Sequence, residues 1–274
     1  MTVNVQERAR KSKEIHYPET DGKPMAETDL HRELMFHVIH TLQAFLAGVK
    51  AYVSGNLLVY FEEGNPRRSV APDCFVVFGV EQKRRRIYKI WEEGRGPDVV
   101  FEVTSSSTRR EDMVGKMGLY ARLGVREYFL YDPTSDYLPQ PLMGYWLDEK
   151  NVYQPFEPES GIAGEVNGGR SATPAFVSRL LGLRLALDSQ GILQFYDLAT
   201  GKRVLSKFEA QAEEERRRAE IEQTRANEER RRAEIEQIRA NEERRRAEIE
   251  QTRADEAEAE NARLRAELAR LRGQ

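Results

Sequence analysis

From Leu34 onward apolar residues recur at helical spacing, with Leu34, Val38, Leu42, Phe45 and Leu46 on one face. Thr28 or Asp29 can cap this helix and Gly48 ends it, so a helix is predicted from about residue 28 to 47. The period then changes. Ala51–Phe61 is rich in Val, Leu and Tyr with one glycine interruption, GNPRRS turns the chain, and Pro72–Val80 is a second apolar run, which together predict a strand pair. EQKRRRIYKIWEEGRG, 81–96, is a charged connector with a short apolar centre. A third strand is predicted through Asp98–Thr104, a helix from about Arg109 to Leu123 capped by the hydroxyls of Ser105–Thr108 and stopped by Gly124, and a fourth strand over Arg126–Tyr131. Strand, helix, strand with tight connections is a crossover unit, so a mixed sheet flanked by helices is expected. Between Gln154 and Val204 the pattern shortens to turn residues, a small helix near Ala175–Leu181 and a hairpin around Leu185–Asp197.

The last quarter of the chain follows a different rule. Residues 214–227 (EERRRAEIEQTRAN), 228–241 and 242–255 are three copies of one 14-residue unit that differ only at positions 238 and 255. Fourteen residues are two heptads, and alanine recurs every seventh place from Ala212 to Ala254, so the segment is predicted to be helical. At about 1.5 Å per residue it would reach roughly 100 Å if continuous. Glu214/Arg218, Glu228/Arg232 and Glu242/Arg246 set the acid four residues before the base, the better order for pairing. The best seam joins Ile221, Ile235 and Ile249 to Thr224, Ile238 and Thr252, but Glu228, Arg231, Glu242 and Arg245 fall in the same seam; only Leu264, Leu268 and Leu271 make an apolar stripe. A solvated spacer and a coiled coil that makes a homo-oligomer, a dimer in the simplest case, therefore both stand as readings. The expected organisation is an arm over 1–24, a folded domain over 25–206 and a charged helical tail over 207–274.

Composition narrows the function. Forty-three basic against 46 acidic residues among 274 exclude a globally basic nucleic-acid binder, though not local contact with DNA. The single cysteine excludes a disulfide framework and a multi-cysteine zinc cage. No apolar run spans a bilayer and the first ten residues lack the apolar stretch of a secretory signal, so the expected location is cytoplasmic, with no membrane partner. GxSxG, P-loop and HExxH signatures are absent. Cys74 reads as a core residue, and His31, His37 and His40 as helix surface or core.

Two strands open with the same dipeptide, Pro72-Asp73 before CFVVF and Pro97-Asp98 before VVFEV. Each alone is an ordinary strand start. Glu102 is different: it stands inside an apolar strand, on the face shared by Asp98 and Val100, and a buried carboxylate needs a partner. Asp112, Lys116 and Tyr120 follow at i, i+4 and i+8 on the crossover helix, which packs back over that strand, so Lys116 can reach Glu102. A salt bridge of Glu102 to an arginine, and a plain exposed Asp112/Lys116 pair, are the bland alternatives. Lys83, Arg84, Arg85, Arg86 and Lys89 form the densest basic cluster, suited to phosphates or merely to solubility, and Trp91 beside them either packs or stacks.

The runs APDCFVVFGV, YKIWEEG and PDVVFEVTSSSTRREDMVGKMGLYARLGVREYFLYDP, with LGLRLALDSQGILQFYDLATGKRV later, resemble the Uma-type restriction endonuclease family, a branch of the PD-(D/E)XK nuclease-like fold. The resemblance covers about Tyr17–Val204 and implies an α/β, restriction-endonuclease-like mixed sheet and a metal-dependent DNA endonuclease. It implies Asp73 and Glu102 as ligands of Mg²⁺ or Mn²⁺ and Lys116 as the catalytic lysine, electrostatic or base-assisting in role. The fold's lysine normally stands two residues past the second acid, where this chain has Thr104; Lys116 matches a position moved to the helix. A helical acid often completes such sites, which leaves Glu33 or His31 as a further candidate, with Asp98 and Asp112 open as well. Such oxygen donors suit Mg²⁺. The alternative is an interaction protein that has lost turnover and works through its helical tail.

Overall fold

A computed structural model describes residues 15–20, 28–105, 108–159 and 175–272. The chain divides into two units between Ala210 and Gln211. The first holds a six-stranded mixed sheet of β1 (Ala51–Ser54), β4 (Cys74–Phe78), β6 (Val99–Val103), β7 (Glu127–Tyr131), β8 (Leu142–Leu147) and β9 (Tyr153–Pro155), in the order β1-β4-β6-β7-β8-β9. Neighbours are antiparallel except β6 and β7, which run parallel because a helical crossover joins them. β2 (Val59–Tyr60), β3 (Ser69–Val70) and β5 (Tyr88–Lys89) make a small second sheet, and β10 (Phe176–Ser178), β11 (Leu183–Leu187) and β12 (Leu193–Asp197) an antiparallel third. This is the mixed α/β architecture the patterning implied.

Helix α1 (Asp29–Phe45) starts where Thr28 accepts the His31 amide, a cap worth about 1 kcal/mol. Its stripe of Leu34, Met35, Val38, Ile39 and Leu42 packs with Val99, Phe101 and Val103 of β6 and with Leu183, Leu185 and Phe195 of the third sheet. Successive strand residues face opposite ways, so Val100, Tyr128 and Leu130 join a second core with Phe75, Tyr88 and Tyr120. All five residues of β6 are buried, as befits a central strand covered on both faces.

Two expectations need correction, and two strands were not expected at all. Ala51–Phe61 is not one strand: at Gly55 and Asn56, the latter with φ of 46°, the chain leaves β1 and β2 joins another sheet. A Cβ on Gly55 would lie 1.9 Å from the Asp73 carbonyl oxygen, so glycine there lets β1 pass against the start of β4. The predicted small helix near Ala175–Leu181 is instead β10 and a turn, because Phe176 and Ser178 alternate inward and the strand pairs with β11. β8 and β9 extend the main sheet where the hydrophobic pattern predicted nothing. Of the N-terminal arm, the described Tyr17 and Pro18 lie on the second sheet, Tyr60 Oη donating to the Pro18 carbonyl at 2.6 Å; residues 1–14 and 21–24 of that arm lie outside the described residues.

Helix α4 (Lys207–Arg272) begins in the last residues of the first unit and runs unbroken through the second to Arg272, with Glu214 accepting Arg218 at 2.9 Å as its spacing predicts. Ile221, Ile235, Ile238, Ile249, Leu264 and Leu268 are exposed along it. No helix among the described residues is long and apolar enough to cross a membrane.

Candidate functional site

Antiparallel pairing of β4 and β6 sets Cys74 opposite Phe101, and one step further along the same register Asp73 stands opposite Glu102. The two acids thus meet at one end of neighbouring strands and on the same face. The Val103 amide donates to Asp73 Oδ2 at 2.7 Å, and His31 Nε2 from the first turn of α1 lies 3.4 Å from Asp73 Oδ1. Gly55 lets the chain pass tightly behind.

The crossover begins with a π-helical turn, Glu111–Lys116, that continues into α3 (Met117–Arg122). Residues i and i+8 of a regular α-helix stand about 80° apart around the axis; the wider π turn under-rotates and brings Asp112, Lys116 and Tyr120 closer to one line. All three converge at Glu102. Lys116 Nζ lies 2.8 Å from Glu102 Oε2 and 3.0 Å from Asp112 Oδ1, and Tyr120 Oη donates to Glu102 Oε1 at 2.6 Å. Glu102 and Tyr120 are wholly buried and Asp112 nearly so. Of the alternatives for Glu102, the arginine salt bridge is not what the fold forms.

Electrostatics follow from that crowding. Burial pushes the Glu102 carboxyl well above the usual carboxylate range; Lys116 opposes the shift while Asp73 and Asp112 add to it. Burial also raises Asp112, against the pull of Lys116 and Thr108. For Asp73 burial works upward too, but His31, Lys116 and the Val103 amide prevail and hold it below its ordinary value. Burial alone would lower Lys116, yet Glu102, Asp112 and Asp73 carry it well above an ordinary lysine, so it stays an ammonium at any working pH.

Other residues marked by the sequence lie elsewhere. Asp98 is at the opposite end of β6, where it accepts the Phe78 amide at 2.7 Å and Arg126 at 2.7 Å; it has no part in the cluster. Glu33 is exposed, so of the two α1 candidates only His31 is in place. His37 Nε2 donates to the Leu193 carbonyl at 2.9 Å, and His40 packs between Phe36 and Phe208. Cys74 is buried core. Thr104 is buried, and its hydroxyl has no partner among the described residues. Within the 81–96 connector, α2 (Ile90–Glu93) supplies acids that take up most of the basic cluster. Arg85 is bidentate to Glu93 at 2.7 Å and stacks on Tyr52, Lys83 shares Glu93, Lys89 meets Glu92, and Arg86 meets Glu19. Trp91 packs on Tyr17. The residue that spacing placed on the right face but assigned no role is Tyr120.

The family profile described as Uma2, putative restriction endonuclease, matches residues 7–157, more than half of the chain. The chain belongs to the Uma2 family. Solved structures similar to it include that of an Anabaena variabilis protein described as a putative nuclease belonging to DUF820, 17% identical, covering 53% of this chain and 78% of that one, with a TM-score of 0.37. No curated protein matches.

Does this Uma2 site suit the divalent ion that its nuclease resemblance implies? Three carboxyl groups crowd around one lysine, and ionising all of them in this buried place calls for a further cation. Every donor except His31 is oxygen, the preference of a hard dication. Among the described residues no three His, Cys, Asp or Glu side chains form a ready cage. An ion would therefore take Asp73 and Glu102 and fill its shell with water, as Mg²⁺ commonly does. The residues fit the ion.

Proposed function

We propose that this chain is a metal-dependent endonuclease that hydrolyses phosphodiester bonds in DNA. The observation that carries the reading is the meeting of Asp73 and Glu102 on adjacent strands beside Lys116, where three carboxyl groups crowd around one lysine. Asp73 and Glu102 would hold Mg²⁺ or Mn²⁺, which when bound polarises the phosphoryl group and acidifies water. Lys116, fixed by Glu102 and Asp112, offers a permanent positive charge to the phosphate oxygens as charge builds on them. Its place between Glu102 and Asp112, which raise its proton affinity, favours an electrostatic role. Asp112 keeps the lysine in place, and His31 with the Val103 amide orients Asp73.

For the substrate's phosphates, Arg109 and Arg110 are exposed just ahead of the π turn, whereas the 83–89 cluster is largely paired to acids. The test is nicking of supercoiled plasmid with Mg²⁺ or Mn²⁺ by the parent and by Asp73→Asn, Glu102→Gln and Lys116→Ala. Each substitution should cost on the order of 100-fold or more in rate. Cutting by all three at the parental rate would remove the assignment, and preference for an RNA probe over duplex DNA would change the substrate.

A further inference from the structure

The Thr104 side chain is buried, at 2% exposure, and its hydroxyl makes no hydrogen bond to any described residue. Its place relative to the cluster is fixed by the backbone. The Thr104 amide donates to the Tyr131 carbonyl at 2.7 Å, so strand pairing continues one residue beyond β6 and alternation sets the Thr104 side chain on the face of Glu102. Thr104 also directly follows Val103, whose amide holds Asp73 Oδ2 at 2.7 Å. Both acids of the site therefore flank it within two residues. Further along, the hydroxyls of Ser105 and Thr108 bond each other at 3.2 Å and leave Thr104 out. A buried hydroxyl with no partner is costly, and valine has the same shape without that cost, so threonine here calls for a partner that the chain does not supply. Water is the usual partner of such groups.

We propose that the Thr104 hydroxyl seats the water that attacks the phosphorus. The inference rests on the phosphodiester-hydrolysing reading above and adds to it the group that holds the nucleophile. A hydroxyl both donates and accepts, so Thr104 can accept one hydrogen of the water and leave an oxygen lone pair facing the phosphate. In the step itself the water oxygen forms a bond to phosphorus, and the bond from phosphorus to the leaving sugar oxygen breaks. The attacking water loses its proton to solvent, the leaving oxygen takes one from solvent, and Thr104 keeps its own. Such a seat acts through orientation, where a misplacement of about 1 Å can cost on the order of 100-fold.

The test sets Thr104→Val, which keeps the shape and removes the hydroxyl, beside Thr104→Ser, which keeps the hydroxyl, both in the full chain. Plasmid nicking with Mg²⁺ gives kcat and KM, titration calorimetry gives Mg²⁺ affinity, and thermal melts give stability. The expected result for Thr104→Val is a kcat lower by roughly 10- to 100-fold, with KM and Mg²⁺ affinity at parental values and the melting temperature unchanged or raised. Thr104→Ser should recover most of that loss. Parental kcat in Thr104→Val, equal losses in the two variants, or a loss that falls on KM or Mg²⁺ affinity instead of kcat would overturn the proposal and leave the endonuclease reading in place. A crystal structure of the metal-free parent gives an answer apart from activity, and one that holds even if Thr104→Val fails to fold. An ordered water within hydrogen-bond distance of Thr104 Oγ1 supports the seat, and a hydroxyl bonded only to protein atoms refutes it. A parent that neither binds Mg²⁺ nor cuts would instead overturn the endonuclease reading, and the role of Thr104 with it.

Discussion

The two ends of the central strands β6 and β7 carry buried acids in opposite circumstances. At one end Asp98 receives the Phe78 amide and Arg126, and Glu127 receives the Ser178 hydroxyl and the amides of Arg179 and Leu180. Each has its own donors, and the bonds fasten β4 to β6 and the third sheet to β7. At the other end Glu102, Asp73 and Asp112 converge on one lysine. A fold that can satisfy two buried acids fully at one end of its sheet leaves three sharing one ammonium at the other. That imbalance, rather than the presence of acids, is what singles out this end as the proposed site.

The contrast can be broken most severely at Lys116. Lys116→Met takes the only lysine from the cluster and should destabilise the protein by about 3–5 kcal/mol, the usual result of leaving buried charge unpaired. Urea unfolding with and without Mg²⁺ should show part of that loss restored by the ion, and a loss indifferent to Mg²⁺ would deny the cluster its need for a cation. Asp98→Ala comes next. It strands the Phe78 amide and should cost about 1–3 kcal/mol in the same unfolding experiment, with cleavage by the folded protein intact. A selective loss of cleavage would return Asp98 to the site.

The smallest effect is a pH dependence at Glu127. Burial raises this carboxyl above its ordinary value, although Ser178 and the Leu180 and Arg179 amides lower it. Between the ordinary glutamate value and the raised one, the folded protein keeps a proton that the unfolded chain has released. Stability therefore falls as pH rises through that window and is flat outside it, as far as this group is concerned. Glu127→Gln should flatten that slope in thermal melts taken across the window, and an unchanged slope would place its origin in other carboxyls.

How much of this was visible beforehand depends on what each signal reports. The face shared by Asp112, Lys116 and Tyr120, and the pull of Glu102 on Lys116, were legible because helix spacing and strand alternation are local rules. Which Pro-Asp pair belongs to the site was not. β4 and β6 are antiparallel, so their starts lie at opposite ends of the sheet, and only pairing register shows that Asp73 rather than Asp98 reaches Glu102. The placement of His31 at Asp73 depends on the same long-range packing. The neutralised basic cluster taught a similar lesson, since Glu93 and Glu19 come to it only in three dimensions.

The missed β8–β9 hairpin did carry a local signal. Asp148 accepts the Lys150 and Val152 amides and the Gln154 side chain, and Asn151 takes φ of 58°. Asp188 accepts the amides of Gln190 and Ile192 and the Gln194 side chain, with Gly191 at 78°, in the β11–β12 hairpin that the sequence did reveal. The same Asp and Gln six residues apart, with a turn former between, stand in both; Asn in place of Gly hid the first. The π turn has no such mark in the chain.

The account's central claim is that Asp73 and Glu102 jointly hold one divalent ion while Asp98 holds none. Titration calorimetry with Mg²⁺ on the parent, Asp73→Asn, Glu102→Gln and Asp98→Asn tests it most directly. The expected result is binding that either site substitution removes and that Asp98→Asn leaves at parental affinity. Binding that survives the loss of Asp73 or Glu102, or that disappears with Asp98, would contradict the claim.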